Sequence, residues 1–164
     1  MLARHPASSP YGIAETPAAQ DFRIQDLSRR NEGLLPFDFA TLLAPANNSR
    51  LETNSTSTTP VQIVWNPAIN AQSYKWSLTT ATGNFAPGLV NLLSNNNGLD
   101  TTLTLTVRGI DSLLASLGVA PGDSIDTRWT VKSFYNSGAD STVAPAFNLK
   151  LVRRAIPQPF NLLN

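Results

Sequence analysis

The sequence of 164 residues contains no cysteine and only one histidine. Without cysteine there can be no disulfide bond, no thiolate metal site and no cysteine nucleophile. The histidine, His5, lies between Arg4 and Pro6 in an irregular leader, and no G-x-S-x-G sequence accompanies it, so a Ser-His-Asp hydrolase is not expected. P-loop and G-x-G-x-x-G sequences are also missing. We therefore expect a protein that is not an enzyme and that uses no cofactor and no metal.

Charge and long hydrophobic runs are scarce as well. Charged residues make up 14% of the chain, and 12 Lys and Arg against 11 Asp and Glu leave a net charge of +1. Because nucleic-acid binding needs a clear excess of basic residues, we expect no nucleic-acid partner. No run reaches the roughly 18 apolar residues of a membrane-spanning helix, and residues 1–6 lack the apolar part of a signal peptide. We expect any secretion signal to lie outside this chain.

Short segments of alternating apolar and polar residues fill most of the sequence. In the clearest one, Tyr74, Trp76 and Leu78 fall on one face. Turn-forming residues separate such segments at intervals of roughly 8–12 residues, which is typical of a β-sandwich. The sequence therefore predicts an all-β, antiparallel sandwich. The other predicted strands are 21–27, 37–43, 61–65, 89–93, 101–107, 124–134 and 147–151, and residues 51–60 are predicted to be a polar loop.

One segment has helical rather than strand periodicity. Leu113, Leu114 and Leu117 share a helix face, Asp111 is placed to cap the first N–H groups, and Gly118 is suited to the left-handed conformation that ends a helix. This pattern predicts a helix of about two turns, covering approximately residues 110–117, over one open end of the sandwich.

The two ends of the chain resemble each other. Residues 22–30 and 147–154 each begin with Phe and end in Arg-Arg, and each is followed by Pro and a second segment that begins with Phe. Aligning Phe39 with Phe160 gives a period of about 120 residues, the size of one sandwich domain. We therefore expect an N-terminal extension (1–34) that resembles the last strand of a preceding repeat, a sandwich (35–154), and a linker with a first-strand-like segment (155–164).

Two interpretations of this repeat remain open beside chance similarity of short strands. The chain is either a slice of a tandem array or a filament subunit whose terminal strand completes a neighbouring copy. In both, its partners are other copies or like domains, and its role is structural. The side chains that would anchor an exchanged strand are Phe160, Leu162 and Leu163 at one end, or Phe22, Ile24 and Leu27 at the other.

Residues 36–154 resemble the SusE-like domains of Bacteroidota cell-surface proteins. The resemblance lies in the order of residues 64–65, 73–78, 94–105, 110–118 and 128–131. It implies an immunoglobulin-like or fibronectin-III-like sandwich with one short helix, often in tandem, at the extracellular face of the cell. Named members bind starch, mainly through other domains, so an outer-membrane glycan-binding module is the alternative function. The lipobox cysteine that anchors lipoprotein members is absent from this sequence.

The candidate ligand sites are few. Phe85 and Tyr135 are the candidate glycan contacts, with packing at the rim of the sandwich as the favoured alternative for both, because Trp65, Trp76 and Trp129 stand among apolar neighbours and are expected in the core. The run that includes Asn95, Asn97 and Asp100 offers only one carboxylate and is predicted to be a turn rather than a calcium site. A catalytic pair is not expected from Asp123 and Asp126.

Four Asp-Ser or Asp-Thr pairs match the short O-glycosylation pattern of Bacteroidota secreted proteins. Such pairs are also common at caps and turns, so the pattern is weak. The predicted modification sites are Thr101, Ser112, Ser124 and Ser141.

Overall fold

The structure is a computed structural model and describes residues 37–157. Within that range it contains one α-helix, α1 (Val107–Ser116), two 3-10 turns (Asn96–Gly98 and Asn136–Gly138) and nine strands. The proposed exchange residues Phe22, Ile24, Leu27, Phe160, Leu162 and Leu163 lie outside it. The strands are β1 (Thr41–Ala44), β2 (Ser49–Thr53), β3 (Pro60–Asn66), β4 (Ser73–Thr80), β5 (Val90–Leu93), β6 (Thr102–Thr106), β7 (Ser124–Tyr135), β8 (Asp140–Val143) and β9 (Phe147–Arg153).

The strands form two sheets, and the predicted all-β, immunoglobulin-like sandwich with one short helix is confirmed. The smaller sheet has the order β1-β3-β6, and the larger has the order β2-β9-β7-β4-β5, with β8 also paired to β7. The sequence predicted antiparallel pairing, but β2 and β9 are parallel. The chain crosses from one sheet to the other after Ala44 without reversing, so β2 continues in the direction of β1 and lies beside β9, which runs the same way.

Three tryptophans fill the core, as predicted. Trp65, Trp76 and Trp129 are all buried, and Trp65 and Trp129 make edge-on aromatic contacts with Tyr74 and Phe147. Trp76 lies on β4, where immunoglobulin domains carry a tryptophan that packs against an inter-sheet disulfide. This chain has no cysteine. Trp76 packs instead in a core cluster of apolar side chains that includes Ile63.

Helix α1 begins earlier than predicted. Its N-cap is Thr106, whose Oγ1 accepts a hydrogen bond from the Gly109 N–H at 3.0 Å, because β6 leads directly into the helix. The prediction that Asp111 is the cap is therefore wrong. The predicted stop at Gly118 is confirmed: its φ is +80°, and Val119 N–H and Gly118 N–H bond to the carbonyls of Leu114 and Ala115.

Asp111 instead forms a buried ion pair. Its side chain, with the residue 2% exposed, accepts hydrogen bonds from Arg153 Nε at 3.3 Å and from the Thr53 hydroxyl at 3.2 Å. Arg153 also donates from Nη1 to the Val119 carbonyl at 2.8 Å. These contacts join α1 to the ends of β2 and β9. Because each charge needs its partner when water is excluded, the pair fixes the helix against the sheet.

Asn95 covers part of one of the two edges of the smaller sheet. The outer edge of β6 has no neighbouring strand, but Asn95 lies along it. The Asn95 N–H donates to the Thr102 carbonyl at 2.8 Å, and its Oδ1 accepts from the Thr104 N–H at 3.1 Å. Its Nδ2 donates to the hydroxyls of both threonines. Asn95 thus satisfies backbone groups that would otherwise be open to strand addition.

The first described residues lie at one end of the sandwich, which we call the N-terminal end. Phe37 stacks on the ring of Tyr135, the last residue of β7, with centroids 4.5 Å apart. The Asp38 carbonyl accepts hydrogen bonds from the Tyr135 hydroxyl and, at 2.7 Å, from the Thr142 hydroxyl. The chain is therefore attached to the sandwich just before β1.

The last described residues lie at the opposite end, which we call the C-terminal end. The Arg153 carbonyl accepts a hydrogen bond from the Gly122 N–H just before β7 begins. The Arg154 N–H donates to the Thr53 carbonyl at 2.8 Å. The Arg154 guanidinium also hydrogen-bonds to Glu52 and holds the pKa of that carboxylate below its ordinary value of 4.5. Because the folded-state pKa is lowered, this contact stabilises the fold above the unfolded-state pKa and is lost as the pH falls through the folded value.

Replacing Asp111 with alanine should destabilise the domain by about 3–5 kcal/mol, because the change leaves the Arg153 charge without its buried partner. Urea unfolding measures the loss. Asp126→Ala is the matched control: it removes an exposed carboxylate 3.8 Å from Lys150 and should cost less than about 1 kcal/mol. Equal losses in the two variants would contradict the role given to the buried pair.

Candidate functional site

A groove with a volume of about 440 Å³ lies on the outer face of the larger sheet. Its floor is formed by side chains of the central strands β4 and β7, and its sides by residues of β5, β8 and the β4–β5 loop. This volume falls within the roughly 300–1,000 Å³ range of small-molecule sites. The lining residues are Lys75, Ser77, Phe85, Ala86, Pro87, Asn91, Thr130, Lys132, Phe134 and Val143.

Strand register sets the floor of the groove. Ser77 is directly opposite Thr130, and both are buried, so two small side chains leave a depression in the sheet. Two residues further along each strand, on the same face, Lys75 is directly opposite Lys132. The Ser77 hydroxyl donates to Asn91 Oδ1 at 2.6 Å, which holds the amide of that residue at the side of the groove.

The β4–β5 loop forms one wall. Arg128 on β7 donates to the Gly83 carbonyl at 2.7 Å, and its guanidinium lies over the Phe85 ring, 5.6 Å from the centroid. Gly88 has a φ of +70°, and a side chain there would meet the carbonyl oxygens of Phe85 and Leu78 at 3.1 and 3.2 Å. The loop is therefore held over the sheet by its own backbone and by Arg128.

The groove has a positive electrostatic character. Its lining contains Lys75 and Lys132 and no acidic residue. Among residues 37–157, the carboxylates of Glu52, Asp111 and Asp126 are the ones that lie within 4.0 Å of a basic side chain, and none of their partners is a groove lysine. Lys132 lies over the ring of Phe134, 5.2 Å from its centroid. Two like charges directly opposite each other repel, so the arrangement suits an anion.

The structure separates the two predicted glycan contacts. Phe85 lines the groove and is half-buried. Tyr135 is 2% exposed, with its ring against Phe37 and its hydroxyl bonded to Asp38, so the prediction that it contacts a ligand is wrong. Its position as the last residue of β7 suggested exposure, but the chain before β1 packs over it.

The lysines and Phe134 were not predicted as site residues. They occupy every second position of β4 and β7, which marks the outer face, but their neighbours across the strands depend on the register, which the sequence does not show.

The four predicted modification sites are not equally accessible. Ser112, Ser124 and Ser141 are exposed and Thr101 is half-buried. Asp111, the acid that precedes Ser112, is buried in its ion pair, so the Asp-Ser pattern there is hidden in the folded chain. Modification at all four sites stays a prediction.

Other candidate sites show no arrangement for ligands. In the described part of the chain, no cluster of three His, Cys, Asp or Glu side chains is placed to hold a metal ion. Asn95 is used in the β6 edge, and Asp126 pairs with Lys150. No helix among residues 37–157 has the length and apolar character needed to cross a membrane.

No protein-family model matches the chain, and no curated protein sequence matches it. Among solved structures, murine CRIg is 12% identical, with 71% of this chain and 98% of that chain covered and a TM-score of 0.38. AggA, the major subunit of aggregative adherence fimbriae type I from Escherichia coli, is 11% identical, with coverages of 71% and 97% and a TM-score of 0.25. Likenesses with such low TM-scores carry no argument about function.

Replacing Lys75 with glutamate should stabilise the domain by about 0.5 kcal/mol at low salt, because it turns a repulsive cross-strand pair with Lys132 into an attractive one. Thermal unfolding at low and high salt measures the gain, which should shrink as salt screens it. Lys150→Glu is the control on the same sheet: it places a negative charge beside Asp126 and should destabilise. A loss of stability in both variants would contradict the repulsion between the two lysines.

Proposed function

We propose that this chain is a non-catalytic structural module of an extracellular bacterial cell-surface protein, joined end to end with like domains. The observation that carries the proposal is that Phe37 and Arg154 lie at opposite ends of the sandwich. The 12 residues of β7 run between these ends, which separates them by about 35 Å. Domains with this arrangement extend a chain in one line, whereas adjacent ends would fold it back on itself.

The attachments at the two ends support the same proposal. At the N-terminal end, Tyr135 and Thr142 both bond to Asp38, and at the C-terminal end Arg154 bonds to Thr53 and Glu52. Each attachment begins within a few residues of a strand, so a pull on either end passes directly into the sheets. The internal period of about 120 residues and the resemblance to the tandem SusE-like domains agree with linkage of this kind.

The parallel pair β2 and β9 suits a domain that is held under tension. Five residues of β2, Ser49–Thr53, are in register with Leu149–Arg153 of β9. The chain reaches β2 from the N-terminal end and leaves β9 at the C-terminal end, so a pull on the termini slides the two strands past each other. All hydrogen bonds between them are then loaded together instead of one after another.

Exchange of terminal strands has less support than direct linkage. The sandwich contains its own first strand, β1, paired to β3, and its own last strand, β9, paired to both β2 and β7. An exchanged strand would therefore have to displace one of these. We propose that the domains are linked mainly through the continuous polypeptide chain. Strand exchange is the alternative that the second experiment below tests.

Pulling the domain from its two ends should require a severalfold higher force than pulling it from one end. Because the sequence has no cysteine, two cysteines introduced into one variant provide its two attachment points for force spectroscopy. The pair Asp38→Cys and Ala155→Cys loads β2 against β9 in shear. The pair Asp123→Cys and Ala155→Cys loads β9 at the end where it meets β7 and peels it away. Similar forces in the two geometries would contradict a tension-bearing role.

Removing residues 157–164 tests strand exchange through the mass of the chain in solution. If Phe160, Leu162 and Leu163 complete a neighbouring copy, light scattering of the full chain should show high-mass species that collapse to monomer on truncation, because the donated side chains are lost. A monomer in both cases would contradict exchange through this segment and leave linkage through the polypeptide.

A further inference from the structure

We propose that the groove on the larger sheet binds an anionic saccharide, with Lys75 and Lys132 holding its acidic group. The proposal does not rest on end-to-end linkage, because the groove is formed by residues of this one domain and lies on the outer face of its larger sheet. Its ligand class is set by three features: an uncompensated pair of positive charges, aromatic rings on two sides, and short polar side chains on the floor.

The lysine pair indicates the charge of the ligand. Lys75 and Lys132 are cross-strand partners in the middle of the sheet, where each repels the other. An acidic group between their ammonium groups would accept charge-assisted hydrogen bonds from both and remove the repulsion. Since lysine acts as a point charge, a carboxylate and a sulfate ester fit equally, and the shared chemistry is that of an acidic group on a sugar.

The remaining lining residues indicate a sugar. Phe85 and Phe134 line the groove, and each ring has a cation, Arg128 or Lys132, over one face, which leaves the rest of its apolar surface for the C–H face of a pyranose. Asn91 offers amide groups beside them. The Asn91 side chain is already oriented, because it accepts from Ser77 and donates to the Pro87 carbonyl. Preorganised polar groups of this kind lower the cost of ordering a ligand site.

An acidic peptide fits the groove less well. A peptide that adds to a sheet needs a free strand edge, but β4 is paired on both sides by β5 and β7, and β7 is paired by β4 on one side and by β8 and β9 on the other. The floor between Ser77 and Thr130 is a shallow polar depression and does not contain a deep apolar pocket for a side chain.

The test is an array of anionic saccharides, carrying uronic acid, sialic acid or sulfate, each printed beside its carboxyl-reduced or desulfated counterpart. We expect the full chain to retain at least one anionic saccharide over its neutral counterpart. The best one is then titrated by calorimetry against the chain and against Lys75→Gln and Lys132→Gln. Each substitution should weaken binding by about tenfold or more, because each removes a charged hydrogen bond.

Two controls separate the groove from general charge. Lys150→Gln makes the same change on the same sheet, outside the groove, and should bind as the unchanged chain does. Phe85→Ala should weaken binding without changing its salt dependence, whereas the groove-lysine variants should reduce that dependence. Thermal unfolding confirms that each variant is folded, and removal of either groove lysine should not lower stability.

Three results would overturn the proposal. In the first, no anionic saccharide is retained above its neutral counterpart. In the second, Lys75→Gln and Lys132→Gln bind as tightly as Lys150→Gln. In the third, a hexaglutamate peptide displaces the saccharide at equal concentration, which would indicate that the surface recognises charge alone. Comparing the binding of saccharides that carry uronic or sialic acid with the binding of sulfated saccharides on the array shows whether the acidic group is a carboxylate or a sulfate ester.

Discussion

The ion pair between Asp111 and Arg153 is the contact on which the C-terminal end of the sandwich depends. It is buried, it is shared with the Thr53 hydroxyl, and it joins a helix to the two parallel strands β2 and β9. Replacing either residue would remove the opposite charge from its largely buried partner, so the pair couples the three elements. Arg154, the next residue, bonds to Thr53 and Glu52, so a pull on that end acts on these contacts and then on the ion pair.

The sequence was sufficient to predict the sandwich but not its edges. Alternation placed Tyr74, Trp76 and Leu78 in the core because period-two burial is a local property. Residues 51–60 are predicted to be a polar loop, but Leu51–Thr53 belong to β2, because pairing with β9, nearly 100 residues away in the sequence, makes this polar segment a strand. Asp111 satisfied the local pattern of a helix cap, whereas its actual partner Arg153 is 42 residues away. The groove was missed for the same reason, since its lysines meet only through strand register.

The groove lies on a sheet face close to the N-terminal end of the domain. Phe37 stacks on Tyr135, which directly follows the groove residue Phe134, whereas Arg154 lies at the opposite end. A domain attached at the N-terminal end would therefore lie beside the groove, and one attached at the C-terminal end would not. A linear arrangement would repeat the groove at the spacing of one domain, and several weak sites on one chain would bind a long polymer with high avidity.

Asn95 limits strand addition at one edge of the smaller sheet, along β6. Linked domains experience each other at concentrations on the order of millimolar, at which an open strand edge readily finds another. Along β6 the Thr102 carbonyl and the Thr104 N–H are already bonded to the main chain and the side chain of Asn95, so these two groups do not pair with a neighbouring copy. If the domain stands in a series of like domains, whose sequences would match its own strands, its correct folding would depend in part on a single asparagine outside the core.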